Sequence, residues 1–244
     1  MSPNGTPPPL PRDAFTDWLR REGSRRYHDQ HPFHELMHAG RLDRAQLQAW
    51  VANRYYYQTR IPIKDALIVS KSEDPAFRRM WMRRITDHDG GANGEGGLAL
   101  WQRLGMAVGL DREALVGCRA VLPGVRFACD AYVELVRARP LVEAVASSLT
   151  ECFAPNLMAQ RLAAWEQHYP WVDAAALDYF RSRIPRATRD SEEALAFVLD
   201  HARTYPQQAG CVAALIGKTE ILWHLLDCVH AVYAGGAGHA EAAT

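Results

Sequence analysis

Apolar residues along this chain recur at three- and four-residue spacing rather than in alternation, and Pro and Gly punctuate the pattern into helical segments. The segments expected are 13–25, 31–39, 43–71, 75–88, 96–108, 124–138, 140–153, 155–168, 173–183, 190–204 and 207–233. Asp74-Pro75 reads as a cap followed by proline at the first helical position, and Arg139-Pro140 opens another helix in the same way. Pro62 falls inside the long third segment, where it kinks or interrupts the helix without ending it. No segment alternates with strand period. An all-α domain follows, with about seven major helices and short extras around one core. Residues 1–12 hold five of the fourteen prolines and form a flexible arm, and the small, polar stretch 234–244 is a disordered tail.

Neighbours at i±3 and i±4 tell whether a polar helix residue points inward. Lys218 has Ala214, Leu215, Ile221 and Leu222 on its own face, a stripe that belongs in the core. Arg54 keeps company with Trp50, Val51, Tyr57 and Gln58; Arg84 with Met80, Trp81 and His88; Arg161 with Leu157, Met158 and Trp165; Tyr132 with Ala128, Cys129, Leu135 and Val136. Arg20, among Thr16, Asp17 and Ser24, looks solvated instead. Any one inward cation is most simply a snorkelling stem or a structural ion pair. Several together need carboxylates, and a bundle carrying them beside His, Tyr and Gln is what a pocket for a small polycarboxylate requires.

Arg54 and Gln58, Arg84 and His88, and Tyr179 and Arg183 are each four residues apart, so each pair projects from one helix face with about 6 Å of axial separation. His88, in Asp87-His88-Asp89-Gly90, is the best general acid or base, because imidazole titrates near neutrality and acidic neighbours can orient it. Its bland alternative is a helix-end histidine favoured by the dipole.

Composition narrows the partners. In 244 residues, Lys+Arg and Asp+Glu both number 28, so the long-range field that nucleic acid or an anionic membrane demands is missing. Only Lys64, Lys71 and Lys218 are lysine. Cys118, Cys129, Cys152, Cys211 and Cys228 are odd in number and scattered, which suggests neither a disulfide framework nor a zinc site and fits a reducing, cytoplasmic compartment. No run approaches the 18 or so apolar residues of a membrane span.

Other motifs carry less. GGANGEGG (90–97) lacks the preceding strand and following Lys-Ser/Thr of a phosphate loop and reads as a flexible connection or lid hinge. Glu35 and His38 form one ExxH, whereas a carboxylate-bridged di-iron bundle needs two. His28, His31, His34 and His38 match no metal-ligand spacing, so capping or ligand contact is the expectation. Tyr55-Tyr56-Tyr57 must split between core and pocket.

The stretches RRYHDQHPFHELMHAG (25–40), WVANRYYYQTRIPIKDA (50–66), RRITDHDG (83–90), SSLTECFAPN (147–156) and HYPWVDAAALDYFRSR (168–183) resemble those of the pyrroloquinoline-quinone synthases. The resemblance runs over 13–233. It implies one helical catalytic domain, a seven-helix bundle of the haem-oxygenase-like type, and a homodimer. It also implies a cofactorless oxidase that closes a ring and removes eight electrons from a bicyclic quinoline precursor with O2, giving pyrroloquinoline quinone and hydrogen peroxide.

By the same resemblance Tyr27, His28, Arg54, Gln58, Lys64, Arg84, Tyr132, Glu151, Arg161 and Lys218 contact substrate or product, His88 moves protons, and Tyr179 and Arg183 handle oxygen. No metal is implied. Met158 stands where the family commonly has histidine at the oxygen site. Two other readings remain open: another haem-oxygenase-like enzyme, such as a thiaminase using Cys152 or a metal-dependent oxygenase, and a non-catalytic carrier of the quinone.

Overall fold

The structure, a computed structural model, describes residues 5, 7–92 and 94–233. The tail expected over 234–244 and most of the first half of the arm therefore lie outside the described residues. The arm's end is tied down: the Leu10 N–H donates to Gln208 Oε1 (2.8 Å), and Gln208 Nε2 donates to the Leu10 carbonyl (3.1 Å).

Eleven α-helices follow among the described residues: α1 Arg12–Arg26, α2 Pro32–His38, α3 Arg44–Ser70, α4 Pro75–Asp89, α5 Gly97–Ala107, α6 Arg112–Val116, α7 Pro123–Ala138, α8 Leu141–Ser147, α9 Ala154–His168, α10 Asp178–His201 and α11 Tyr205–Tyr233. Short 3-10 turns occupy His28–Gln30, Ser148–Cys152 and Ala174–Leu177. Seven helices run fifteen residues or more, with α2, α5, α6 and α8 as the short extras. The only β pairing among the described residues is an isolated bridge between Gly91 and Gly94.

Local chemistry sets the ends. Asp43 and Gln46 form a capping box on α3, and Asp74 accepts from the Ala76 and Phe77 amides ahead of Pro75 on α4. His31 caps α2 through Nδ1, accepting from the Phe33 amide (3.1 Å).

Four expectations need correction. Segments 173–183 and 190–204 are joined: after the 3-10 turn over Ala174–Leu177, α10 runs unbroken through Pro185 from Asp178 to His201, with Ala187 and Asp190 facing in. Segment 140–153 divides into α8 and a 3-10 turn. Helix α6, capped by Asp111, was not anticipated. Finally, α11 has the length and hydropathy (1.3) of a membrane span. It packs against α1, α7 and α8, and its buried side carries Lys218 and Thr219, as in a helix enclosed by its neighbours.

Helix α3 packs on α4, α5 and α7 and touches α11, while α10 lies on α8, α9 and the 148–152 turn. These contacts enclose Trp50, Trp81, Trp101 and Trp165, with Trp50 centred 5.4 Å from Trp101 and 6.0 Å from Trp165. Gly91 and Gly94 exchange N–H···O bonds (3.1 Å each), Gly90 has φ 88°, and a Cβ at Gly96 would lie 2.2 Å from the Gly90 nitrogen and 2.3 Å from the His88 carbonyl oxygen. Gly96→Ala is accordingly expected to lower stability by about 1–3 kcal/mol, since backbone rather than a side-chain tip must yield. Urea unfolding of the variant checks this, and an unchanged midpoint would contradict it.

Candidate active site

A cavity of about 40 Å³ lies at the centre of the bundle. Helix α3 lines it with Arg54, Tyr57 and Ile61, three residues whose 3, 4 spacing puts them on one face. Tyr27 and His28 come from the turn after α1, Thr150 and Glu151 from the 148–152 turn, Ala154 and Met158 from α9, Tyr179 and Arg183 from α10, and Leu222 from α11. Seven of the expected site residues are thus brought together: Tyr27, His28, Arg54, Glu151, Met158, Tyr179 and Arg183.

The other seven stand one layer back. Gln58 Oε1 accepts from the Tyr179 hydroxyl (2.9 Å), and Lys218 Nζ donates to the Tyr57 hydroxyl (2.9 Å) while sitting 3.5 Å from the centre of the Tyr132 ring. Tyr132 stacks on Tyr57 at 6.4 Å. Lys64 bonds Asp65 (2.6 Å) and the Ser148 hydroxyl (3.1 Å). Arg84 lies 3.8 Å over Trp81 and donates to the Asp190 carbonyl. Arg161 reaches His34 Nε2 (3.1 Å) and faces the Trp50 ring at 4.9 Å. His88 is not among the lining residues; a Cβ on Gly97 would lie 3.4 Å from the Tyr179 ring and 3.7 Å from the His88 ring.

The cations divide into two kinds. Lys64 pairs with Asp65, and Arg183 with Glu151 and Asp190. Among the described residues, Arg54, Arg84, Arg161 and Lys218 have no carboxylate oxygen within 4.0 Å, and three of these four are buried. Burial, then the Arg54 charge, lowers Arg161 to about 9. Burial, again with Arg54 next, pushes Lys218 well below the lysine range. Lys64 moves up instead: burial opposes its charge, and Asp65 and Tyr132 outweigh it. Deprotonated phenolates are disfavoured throughout, since burial raises Tyr27, Tyr57 and Tyr179.

His88 is buried with neither ring nitrogen hydrogen-bonded among the described residues. Burial, then Arg183 and Lys64, lowers it to about 3. His28 Nδ1 is likewise unpartnered, and burial with Arg54 and Arg161 depresses that imidazole too. Of the remaining histidines of the 28–38 cluster, His31 and His34 are engaged by the fold, while His38 Nε2 has no hydrogen-bond partner among the described residues. His31 caps α2 and meets Asp227 (3.1 Å), while His34 Nδ1 bonds the His28 carbonyl (2.8 Å). Among the described residues no group of three His, Cys, Asp or Glu is arranged to hold a metal.

Several contributors escaped the face test. The tyrosine run splits as expected, Tyr55 bonding Gln102 and Tyr56 bonding Asp130, but the spacing does not say that Tyr57 is the one on the cavity. Asp65 and Asp190, the only carboxylate residues buried among those described, also went unremarked. Asp190 is seven residues from Arg183 on the same helix face, a signal that was present in the sequence.

The all-α bundle has a haem-oxygenase-like fold. A domain of unknown function with a heme oxygenase-like fold from Shewanella denitrificans superposes with a TM-score of 0.75 at 13% identity, covering 92% of this chain and 94% of that one. A TenA homolog from Pseudomonas syringae pv. tomato gives 0.71 at 13% identity, covering 91% and 98%.

The chain belongs to the TENA/THI-4/PQQC family, whose profile matches residues 17–227. It is 51% identical over 222 residues, 91% of this chain and 87% of the relative, to the pyrroloquinoline-quinone synthase of Rhizobium meliloti. It is 53% identical over 224 residues, 92% and 90% of the two chains, to the enzyme of that name from Xanthomonas euvesicatoria. The resemblance carried by the motifs is borne out along nearly the whole chain.

The neutral buried histidines have a consequence for stability. An unfolded histidine takes up a proton below about pH 6.5, whereas folded His88 resists until about 3, and His28 and His34 are also held well below 6.5. The unfolded state binds more protons in that window, so stability falls as pH falls, by up to about 1.4 kcal/mol per pH unit for each such group. Melting temperatures from pH 6.5 down to 4.5 should drop steeply, with a shallower drop in His88→Asn. A flat profile would contradict the neutral assignment.

Proposed function

We propose that this chain is a cofactorless oxidase that closes a ring in a bicyclic, amino-acid-bearing quinoline precursor and oxidises it by eight electrons with O2, forming pyrroloquinoline quinone and releasing hydrogen peroxide. The observation that carries this reading is the group of cations without carboxylate partners around the cavity, above all Lys218 and Arg161. A polycarboxylate supplies what they lack. Pockets for ligands of that size run to about 300–1,000 Å³, so the lining side chains move outward when the precursor enters.

The chemistry asks of the protein only orientation, proton transfer and a positive field. A partly reduced, electron-rich quinol passes electrons to oxygen itself. His88 is neutral with both nitrogens free, and an incoming polyanion raises its proton affinity from about 3 toward the range where a base is effective. Arg183, held charged by Glu151 and Asp190 against the cost of burial, and Tyr179, oriented by Gln58, stand at the cavity to meet oxygen and developing oxyanions. The resemblance brings a homodimer to the reading, and the scattered cysteines a cytoplasmic setting.

A thiaminase reading is weaker. Cys152 faces the outer groove by Arg20 and Ser24 instead of the cavity, and burial, with the Glu151 charge, raises its thiol, which makes it a poor nucleophile. The carrier reading rests on Met158, which places a thioether on the cavity wall where the family commonly has imidazole.

Anaerobic mixing with the precursor followed by admission of oxygen separates the two. Oxygen uptake with appearance of the quinone spectrum is expected; binding without uptake makes the protein a carrier. In the same assay His88→Asn should bind within about threefold of wild type yet oxidise about 100-fold more slowly or worse, the usual contribution of a positioned acid or base. Equal turnover at saturation would remove His88 from that role. Met158→His should change the oxygen-dependent steps and leave precursor affinity alone. An unchanged oxygen dependence would show Met158 to be a neutral replacement.

A further inference from the structure

Asp190 is one of two buried carboxylate residues among those described, and it meets three arginines through three different oxygens. Its Oδ2 faces Arg183 Nη1 at 3.7 Å. Its Oδ1 accepts from Arg189 Nε (3.1 Å) and Nη2 (2.6 Å), and that Nη2 continues to Asp87 Oδ2 (2.5 Å), next to His88 in the chain. Its main-chain carbonyl accepts from Arg84 Nη2. Two of these arginines are site residues.

The geometry at Arg183 is the informative part. A guanidinium is planar, and its donors point in fixed directions. Arg183 gives Nη2 to Glu151 on the 148–152 turn, and its Nη1 lies 3.7 Å from Asp190 Oδ2, an ion-pair contact two helical turns away, so carboxylates on two elements flank the guanidinium where it meets the cavity. Glu151 alone leaves that plane free to rotate. A buried carboxylate is costly unless paired, and here Arg84, Arg183 and Arg189 outweigh burial and keep Asp190 ionised. Arg189 and Asp87 extend the same network to the end of α4, which carries Arg84 and His88.

We propose that Asp190 is a positioning residue for the oxidation: it fixes the orientation of Arg183 at the cavity and ties Arg84, on the helix of His88, to α10. This rests on the oxidase reading given above. Asp190 does not itself line the cavity, so it acts through the arginines and not on the substrate.

The test uses full-length Asp190→Asn and Asp190→Glu. Asparagine keeps the size and the carbonyl bond to Arg84 while removing the charge that holds Arg183. Anaerobic affinity for the precursor should stay within about threefold of wild type in both, while the oxygen-dependent rate of Asp190→Asn falls about tenfold or more and its KM for O2 rises, as misplacement of an orienting group does. Glutamate should restore part of that loss. An Asp190→Asn variant with wild-type oxygen kinetics overturns the proposal. So does one whose affinity, rate and melting temperature fall together without rescue by glutamate, which is the mark of a purely structural role. Failure of the parent reading looks different, because wild type itself would then consume no oxygen with the precursor.

Discussion

Positive charge buried without a matching carboxylate is the constraint on which this molecule turns. Lys218 is wholly buried, and its ammonium finds only the Tyr57 hydroxyl and the faces of Tyr57 and Tyr132. Removing an ion from water costs several kcal/mol even after relaxation, and a phenol with two ring faces returns part of that. Arg161 repeats the arrangement with His34 and Trp50. A fold that only needed to be stable would hold leucine or methionine at such places.

The division of the cations explains how rigidity and receptivity coexist. Lys64 and Arg183 are fixed by Asp65, Glu151 and Asp190, and Asp65 also accepts from the Trp81 indole (2.7 Å). Among the described residues Arg54, Arg161 and Lys218 have no such partner, burial holds the proton affinity of Arg161 and Lys218 low, and under the proposed function a polycarboxylate supplies the missing charge. The chain as a whole is neutral, so this field is local, confined to a buried cavity where charge acts more strongly than in water.

The fold was largely legible because helical periodicity and capping are local properties. Asp74 caps where its place before Pro75 says, and Lys218 lies inward as its Ala and Leu neighbours require. What could not be read is what depends on partners distant in sequence. Pro185 reads as a break, yet packing of Ala187 and Ala194 against neighbouring helices carries α10 through it. Asp65 and Asp190 look like ordinary surface acids until Lys64, Trp81 and three arginines are seen around them. Whether a residue lines the cavity or stands behind it, as Arg54 and Arg84 differ, is a matter of helix rotation that one chain's pattern does not encode.

The central claim is that Lys218 and Arg161 lack a counter-charge until a polycarboxylate provides one. Calorimetric titration with pyrroloquinoline quinone in buffers of differing ionisation enthalpy measures this directly, because an anion beside amines and guanidinium groups of lowered pKa draws protons onto them. The account predicts net proton uptake on binding at mildly alkaline pH, reduced in Lys218→Met. Binding of equal strength with no proton uptake would contradict it.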